Sequence, residues 1–180
     1  NRDEKLARGE AEEPSFDASG PVRLLCPRDV EGGTWVGVNE FGNAFGLLNW
    51  NGGLATGQRG TKSRSRGHVI PHSAAYRTLG QLELSWAPKL FEGMLPFRLV
   101  GVFPEDRRLM EWRWDMQSLD AFSFPWKPRH WFSSGLSDEE AEMQRGKICD
   151  AAWQEPDSGS RDWLRRLHRS DRKSTRLNSS

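Results

Sequence analysis

The segment TWVGVNEFGNAFGLLNW, residues 34–50, constrains the fold more than any other stretch of the chain. It predicts two strands and a tight turn, because β-forming runs at 35–38 and 44–48 flank the turn residues 39–43. Neither strand alternates cleanly between apolar and polar residues, which favours a sheet covered on both faces. The second strand ends in Asn49, at a position where rigid scaffolds often present functional side chains. On the residues alone, the plainer interpretation is favoured, in which Asn49 begins the loop 49–53.

Composition limits the classes of partner. A chain of 180 residues predicts one domain. Its apolar content of 36% is low, although nine Trp and nine Phe residues each bury a large area. Lys plus Arg number 26 and Asp plus Glu number 25, so global charge gives no case for nucleic acid or a membrane surface. No apolar run approaches membrane-spanning length, and no signal peptide opens the chain.

The few cysteine and histidine residues predict no cofactor and no metal. Cys26 and Cys149 are too few for a disulfide framework or a metal site, which favours a reducing, cytoplasmic setting. His68 and His72 lie four residues apart on a predicted helix, but two His without a third ligand are a poor metal signal. Cys149 lies on the apolar face of another predicted helix and is expected to be a packed thiol.

The order of predicted elements favours an α+β fold. Further strands are predicted over 22–26, 97–103, 108–114 and 119–124, and helices over 67–84, from Ser137 onward and over 161–168. Ser137 with Glu140 forms a capping box at the start of the second helix. Within 108–114, Trp112 and Trp114 share one face of the strand, and Glu111 and Arg113 share the other. The strands are segregated from the helices, without βαβ alternation or a glycine-rich phosphate loop.

A long loop over 51–66 is locally basic, with Arg59, Lys62, Arg64 and Arg66. Because it lacks interleaved aromatic residues, a solvated loop is the favoured interpretation and a nucleic-acid site the weak one.

Several segments together resemble the NRDE family, also called the transport and Golgi organisation 2 family. The resemblance rests on motifs in a fixed order across residues 1–170. They are Asn1-Arg2-Asp3-Glu4, Lys5-Leu6-Ala7-Arg8, DVEGGTW at 29–35, Val38-Asn39, Leu47-Leu48-Asn49, Ser65-Arg66-Gly67, Glu111-Trp112-Arg113-Trp114 and Leu167-His168-Arg169-Ser170.

That family resembles N-terminal-nucleophile hydrolases, which implies a four-layer αββα sandwich. The hairpin at 38–50 is also similar to that of the bile-salt and penicillin amidase group. In that group the asparagine ending the second strand helps to form the oxyanion hole, which implies this role for Asn49. The resemblance likewise implies that Arg2 and Asp3 organise an N-terminal cysteine nucleophile, and that the partner is a small-molecule ligand or substrate.

The chain departs from the family pattern at both ends. The family's nucleophile strand precedes the NRDE motif, so the expected fold here lacks its first strand and its C-terminal strands. The expected domain covers 1–170, with a disordered, non-native tail over 171–180. The first hypothesis is therefore a parent cysteine amidohydrolase acting on a small amide or acylated metabolite. The alternative is a non-catalytic carrier of haem or lipid, or a trafficking protein, on the same fold.

Overall fold

The computed structural model describes residues 10–50, 64–133 and 138–174. The described residues divide into two compact units, one within residues 10–128 and the other within residues 129–174. The first unit contains the sheet and the second contains two helices. The expected single domain over 1–170 with a tail after it stays a prediction.

Seven strands form one antiparallel sheet in the first unit. Their order in the sheet is their order along the chain, β1-β2-β3-β4-β5-β6-β7, so every neighbour in sequence is a neighbour in space. The strands are β1 (Ser15–Asp17), β2 (Leu24–Cys26), β3 (Val36–Asn39), β4 (Ala44–Asn49), β5 (Phe97–Phe103), β6 (Arg108–Trp114) and β7 (Leu119–Phe124). The predicted hairpin and the predicted β5–β7 meander are confirmed, whereas β1 was not predicted because residues 6–20 resemble a loop in composition.

The hairpin pairs Val36 with Gly46 and Val38 with Ala44. Gly42 adopts a left-handed φ of 80° in the turn, a conformation that glycine reaches without steric cost. The prediction that both faces of the hairpin are covered is wrong for β3. Val36 and Val38 are 42% and 39% exposed, while Gly37 and Asn39 on the other face are buried. A strand of only four residues cannot show this alternation clearly in sequence.

The predicted helix over 67–84 is broken in the structure. It consists of a 3-10 turn (Arg66–His68), helix α1 (Val69–Ala74) and helix α2 (Leu79–Ser85). The break has a local cause, because Thr78 is extended and its hydroxyl accepts from the Gln81 amide while the Gln81 side chain accepts from the Thr78 amide. This capping box begins a new helix at Leu79.

The core lies between α1, α2 and one face of the sheet. Ile70 of α1 and Leu82 of α2 are fully buried there, and they belong to one cluster with Leu99, Trp112 and Trp114. Trp112 meets Trp86 edge to face at 4.6 Å between ring centroids. The face of β6 that Trp112 and Trp114 share is therefore the face that packs in the core.

In the second unit, helix α3 (Asp138–Ala152) and helix α4 (Arg161–Ser174) pack through aromatic residues. Trp163 is buried, lies 4.7 Å from the Trp153 ring, and donates its indole N–H to the Ala152 carbonyl at 2.9 Å. Of the expected apolar face of α3, Ala152 is buried but Ile148 is half exposed. The predicted cap residue Ser137 lies outside the described residues. Helix α4 continues six residues past the predicted end at 168, to Ser174.

The predicted α+β class is confirmed by the seven-stranded antiparallel sheet and the four α-helices. All strands of the described ranges belong to one sheet, and the four-layer stacking of the N-terminal-nucleophile type stays a prediction. Across residues 10–50, 64–133 and 138–174, no helix is long and apolar enough to cross a membrane.

Candidate functional site

Asn49 ends β4, opposite Phe97 in the register with β5. One further backbone bond, from the Trp50 amide to the Pro96 carbonyl at 3.4 Å, extends the pairing past it. Asn49 is exposed, and strand alternation puts it on the same side of the sheet as Phe45 and Leu47. The hairpin therefore holds the side-chain amide at an accessible sheet end. Arg2 and Asp3, the other two predicted site residues, lie outside the described residues.

A buried charge cluster occupies the opposite face at the same end of the sheet. Leu48, Arg98 and Arg113 are paired across β4, β5 and β6. The fully buried Glu111 accepts from the Nε of Arg98 at 2.6 Å and from the Nε of Arg113 at 2.8 Å, both through Oε1. Burial alone would raise the pKa of Glu111, but hydrogen bonds from Arg113 and Arg98 and the charges of both arginines lower it below its ordinary value.

Aromatic rings hold the Arg113 guanidinium from two directions. Its Cζ lies 4.6 Å from the centroid of the Phe122 ring and 5.9 Å from that of Trp50. The sequence placed Glu111 and Arg113 on one face of β6, which is correct, but gave no sign that Arg98 joins them. Arg98 stands in the apolar run FRLVGVF, and only the β5–β6 register brings it beside its partner.

The residues of the Val38-Asn39 motif have a structural role. The buried Asn39 side chain donates to the carbonyls of Ala74 and Tyr76, at 3.0 and 3.1 Å, and accepts from the amides of Phe41 and Asn43. It thereby ties the β3–β4 turn to the break between α1 and α2. Both donor positions and both acceptor positions of this side-chain amide are therefore used.

Two further motifs meet through glycines. In DVEGGTW, the Asp29 carboxylate accepts from the Gly33 amide at 2.8 Å, and the Thr34 amide donates to the Gly67 carbonyl at 3.2 Å. A β-carbon built on Gly67 would lie 2.7 Å from the Gly33 α-carbon. Gly67 of the Ser65-Arg66-Gly67 motif is thus required for close approach of two backbones.

Cys26 is not an accessible nucleophile. Cys26 is 1% exposed in β2, and its burial raises the pKa of the thiol above the ordinary value. Cys149 is half-buried in α3. Among the described residues no group of three or more His, Cys, Asp or Glu side chains could hold a metal ion. His72 contacts the Ser85 hydroxyl at 3.3 Å and His130 contacts Asp150 at 3.0 Å.

A groove of about 540 Å³ lies between α3 and α4 within the second unit. Its wall combines apolar Trp163 and Ile148 with Arg166. Arg166 is already paired with Asp157 at 2.9 Å and with Glu155 at 2.7 Å, so its charge is neutralised by the same unit. Of the basic loop, Arg59 and Lys62 lie outside the described residues, while Arg64 and Arg66 donate to the carbonyls of Leu90 and Pro96.

The family relationship can be stated on these observations. The α+β fold, with a polar residue closing the central hairpin, carries the motifs of the NRDE family. A family model described as Transport and Golgi organisation 2 matches residues 1–83. The resemblance to that family is therefore confirmed over this part of the chain, which includes Arg2, Asp3, Asn39 and Asn49. No curated protein matches the chain as a relative.

Proposed function

We propose that this chain belongs to a cysteine amidohydrolase of the N-terminal-nucleophile type, which acts on a small amide or acylated metabolite. The proposal rests on the position of Asn49. It lies within the family match, ends a strand whose pairing continues beyond it, and is exposed at the sheet end. These are the properties that an oxyanion-stabilising amide requires, namely an accessible donor on a rigid element.

The proposed chemistry needs an N-terminal cysteine. The α-amino group of that residue has an ordinary pKa of about 7.7–8.0 and can act as the base that takes the proton from the thiol. The thiolate would attack the amide carbonyl, and the Asn49 side-chain N–H would donate to the oxyanion that forms. The C–N bond would then break as the protonated α-amino group gives its proton to the leaving amine, and water would hydrolyse the resulting thioester to release the acid and the free thiol. Arg2 would favour the thiolate by its charge, and Asp3 would orient the amine. Cys26 and Cys149 are not candidates for the nucleophile, since one is buried in a strand and both are internal.

The test uses protein extended before Asn1 by the nucleophile strand of the family, with a cysteine as its first residue, and assays it against a panel of fluorogenic acyl amides. Asn49→Ala should lower kcat by about 10²–10³-fold, the typical cost of losing one oxyanion donor. Asn49→Asp, which keeps the shape but cannot donate, should lose as much. Gln117→Ala removes an exposed side-chain amide elsewhere in the same unit and should leave turnover unchanged.

Three outcomes separate the parts of this proposal. Turnover by Asn49→Ala equal to that of the parent protein would remove the oxyanion role. No turnover by the parent on any amide would argue against the hydrolase itself. A lowered melting temperature in Asn49→Ala would mean that the side chain also stabilises the fold. In that case Asn49→Asp, if its melting temperature is unchanged, would show whether loss of the donor alone lowers kcat.

The alternative, a carrier of haem or lipid, is supported by apolar side chains on the sheet. Phe16, Val36 and Val38 are 69%, 42% and 39% exposed on β1 and β3. Axial ligation of haem is less well supported, because the Nε2 of His72 already contacts the Ser85 hydroxyl at 3.3 Å. Titration with haemin or with a fluorescent fatty acid tests this alternative, and Val38→Asp should abolish binding if this surface is used.

A further inference from the structure

We propose that Arg113, stacked between Trp50 and Phe122, binds the carboxylate of a small ligand that has an apolar body. The site lies on the face of the sheet opposite to Asn49, and binding there does not depend on the proposed hydrolysis.

The hydrogen-bonding capacity of Arg113 is only partly used. Its Nε donates to Glu111 at 2.8 Å. Among the described residues no acceptor lies within hydrogen-bonding distance of its two terminal nitrogens, and the side chain is 34% exposed. Because a guanidinium offers five N–H donors in a planar fork, the edge formed by the terminal nitrogens remains available for a bidentate carboxylate.

The guanidinium is also held in a fixed orientation. Glu111 anchors it at Nε, and Phe122 and Trp50 lie at 4.6 and 5.9 Å from its Cζ. Such a group loses little freedom on binding an anion, in contrast with a solvated surface arginine.

Apolar surface surrounds the charged edge. Phe122 is 38% exposed, and Trp50 and Leu48 are half-buried on the same side. A ligand with a carboxylate and an aromatic or aliphatic body would contact Phe122 and Trp50 as well as Arg113, whereas a bare inorganic anion would use only the charge.

Besides Glu111, two neighbouring charges affect how strongly Arg113 would bind an anion. Arg98 stands opposite it on β5 and adds positive potential. Asp120 stands opposite it on β7, is exposed, and forms no ion pair with it within 4.0 Å. A ligand carboxylate would therefore be repelled by Asp120, and removing that charge should strengthen binding.

Isothermal titration calorimetry of the full chain with 4-phenylbutyrate tests the proposal. The neutral analogue 4-phenylbutyramide should bind at least tenfold more weakly, and Arg113→Gln should weaken phenylbutyrate binding at least tenfold. Arg113→Lys should lose most of the affinity, because it keeps the charge but not the fork. Asp120→Asn should tighten binding. Arg108→Gln, a change of an exposed arginine on the same strand, should stay within twofold of the parent protein.

The proposal fails if no heat of binding is seen, if the amide binds as well as the acid, or if Arg113→Gln binds like Arg108→Gln. Equal displacement by inorganic phosphate would overturn the assignment to a carboxylate on an apolar body. Should Arg113→Gln unfold, Phe122→Leu removes the stacking ring without touching the ion pair and should weaken binding, and unchanged affinity there would refute the site.

Discussion

Loss of the Asn39 side chain should destabilise the first unit strongly. Its side chain makes four hydrogen bonds, two donated to Ala74 and Tyr76 and two accepted from Phe41 and Asn43. At about 1 kcal/mol net for each, Asn39→Ala should lower the free energy of unfolding by about 4 kcal/mol. The residue is only 4% exposed, so water cannot easily replace the lost partners.

The measurement is urea unfolding followed by tryptophan fluorescence, with the midpoint and slope compared between variants. Asn39→Asp keeps both accepted bonds but points a carboxylate at two carbonyls, so it should destabilise at least as much. Glu40→Ala in the same turn removes only exposed contacts with Arg23, an ion pair and a long hydrogen bond from its backbone amide at 3.4 Å, and should cost less than about 1 kcal/mol. A loss below about 1 kcal/mol for Asn39→Ala would refute the role of the side chain in joining turn and helices.

Two further changes test backbone packing and buried charge. Gly67→Ala should destabilise the unit by about 1–3 kcal/mol, because the added β-carbon would meet the Gly33 backbone. In Gly80→Ala of α2 the added β-carbon meets nothing, so the free energy of unfolding should rise by up to about 1 kcal/mol. Equal effects of the two changes in thermal melts would contradict this. Glu111→Gln should cost about 3 kcal/mol near pH 7 by removing the buried negative charge that pairs with Arg98 and Arg113. Since the pKa of Glu111 is lowered on folding, its contribution is complete above its unfolded pKa of about 4.3 and is lost as the pH falls through the folded value, so the two proteins should converge in acid. A difference that is the same at every pH would show that the charge is not responsible.

The sequence contained the information for the elements whose signals are local. The β3–β4 hairpin followed from its turn residues, and β5–β7 from two short turns between apolar runs. The break between α1 and α2 was also encoded locally, by Thr78 and Gln81, but the apolar spacing of Val69, Ile70, Leu79 and Leu82 fits one continuous helix equally well.

Tertiary relations could not be obtained in the same way. Arg98 and Glu111 are 13 positions apart, and only the strand register makes them an ion pair. The bonds of Asn39 to residues 74 and 76 likewise require α1 to be packed on the sheet. The proposed oxyanion role of Asn49 came from the resemblance to a family, and its position at the end of β4 was predicted from the sequence, while its exposure is a property of the structure.

The strictly sequential order of the strands has a consequence for how the first unit folds. Every pairing within β1–β4 and within β5–β7 joins strands that are close along the chain, so both meanders have low contact order. The β4–β5 pairing differs, because it must close the whole of residues 50–96. The free-energy cost of closing this loop rises by only about 0.6 kcal/mol per doubling of its length. That cost must nevertheless be met before any contact between β4 and β5 has formed. The pairing of β4 with β5, which joins the two meanders, should therefore be the rate-limiting step in the folding of this unit.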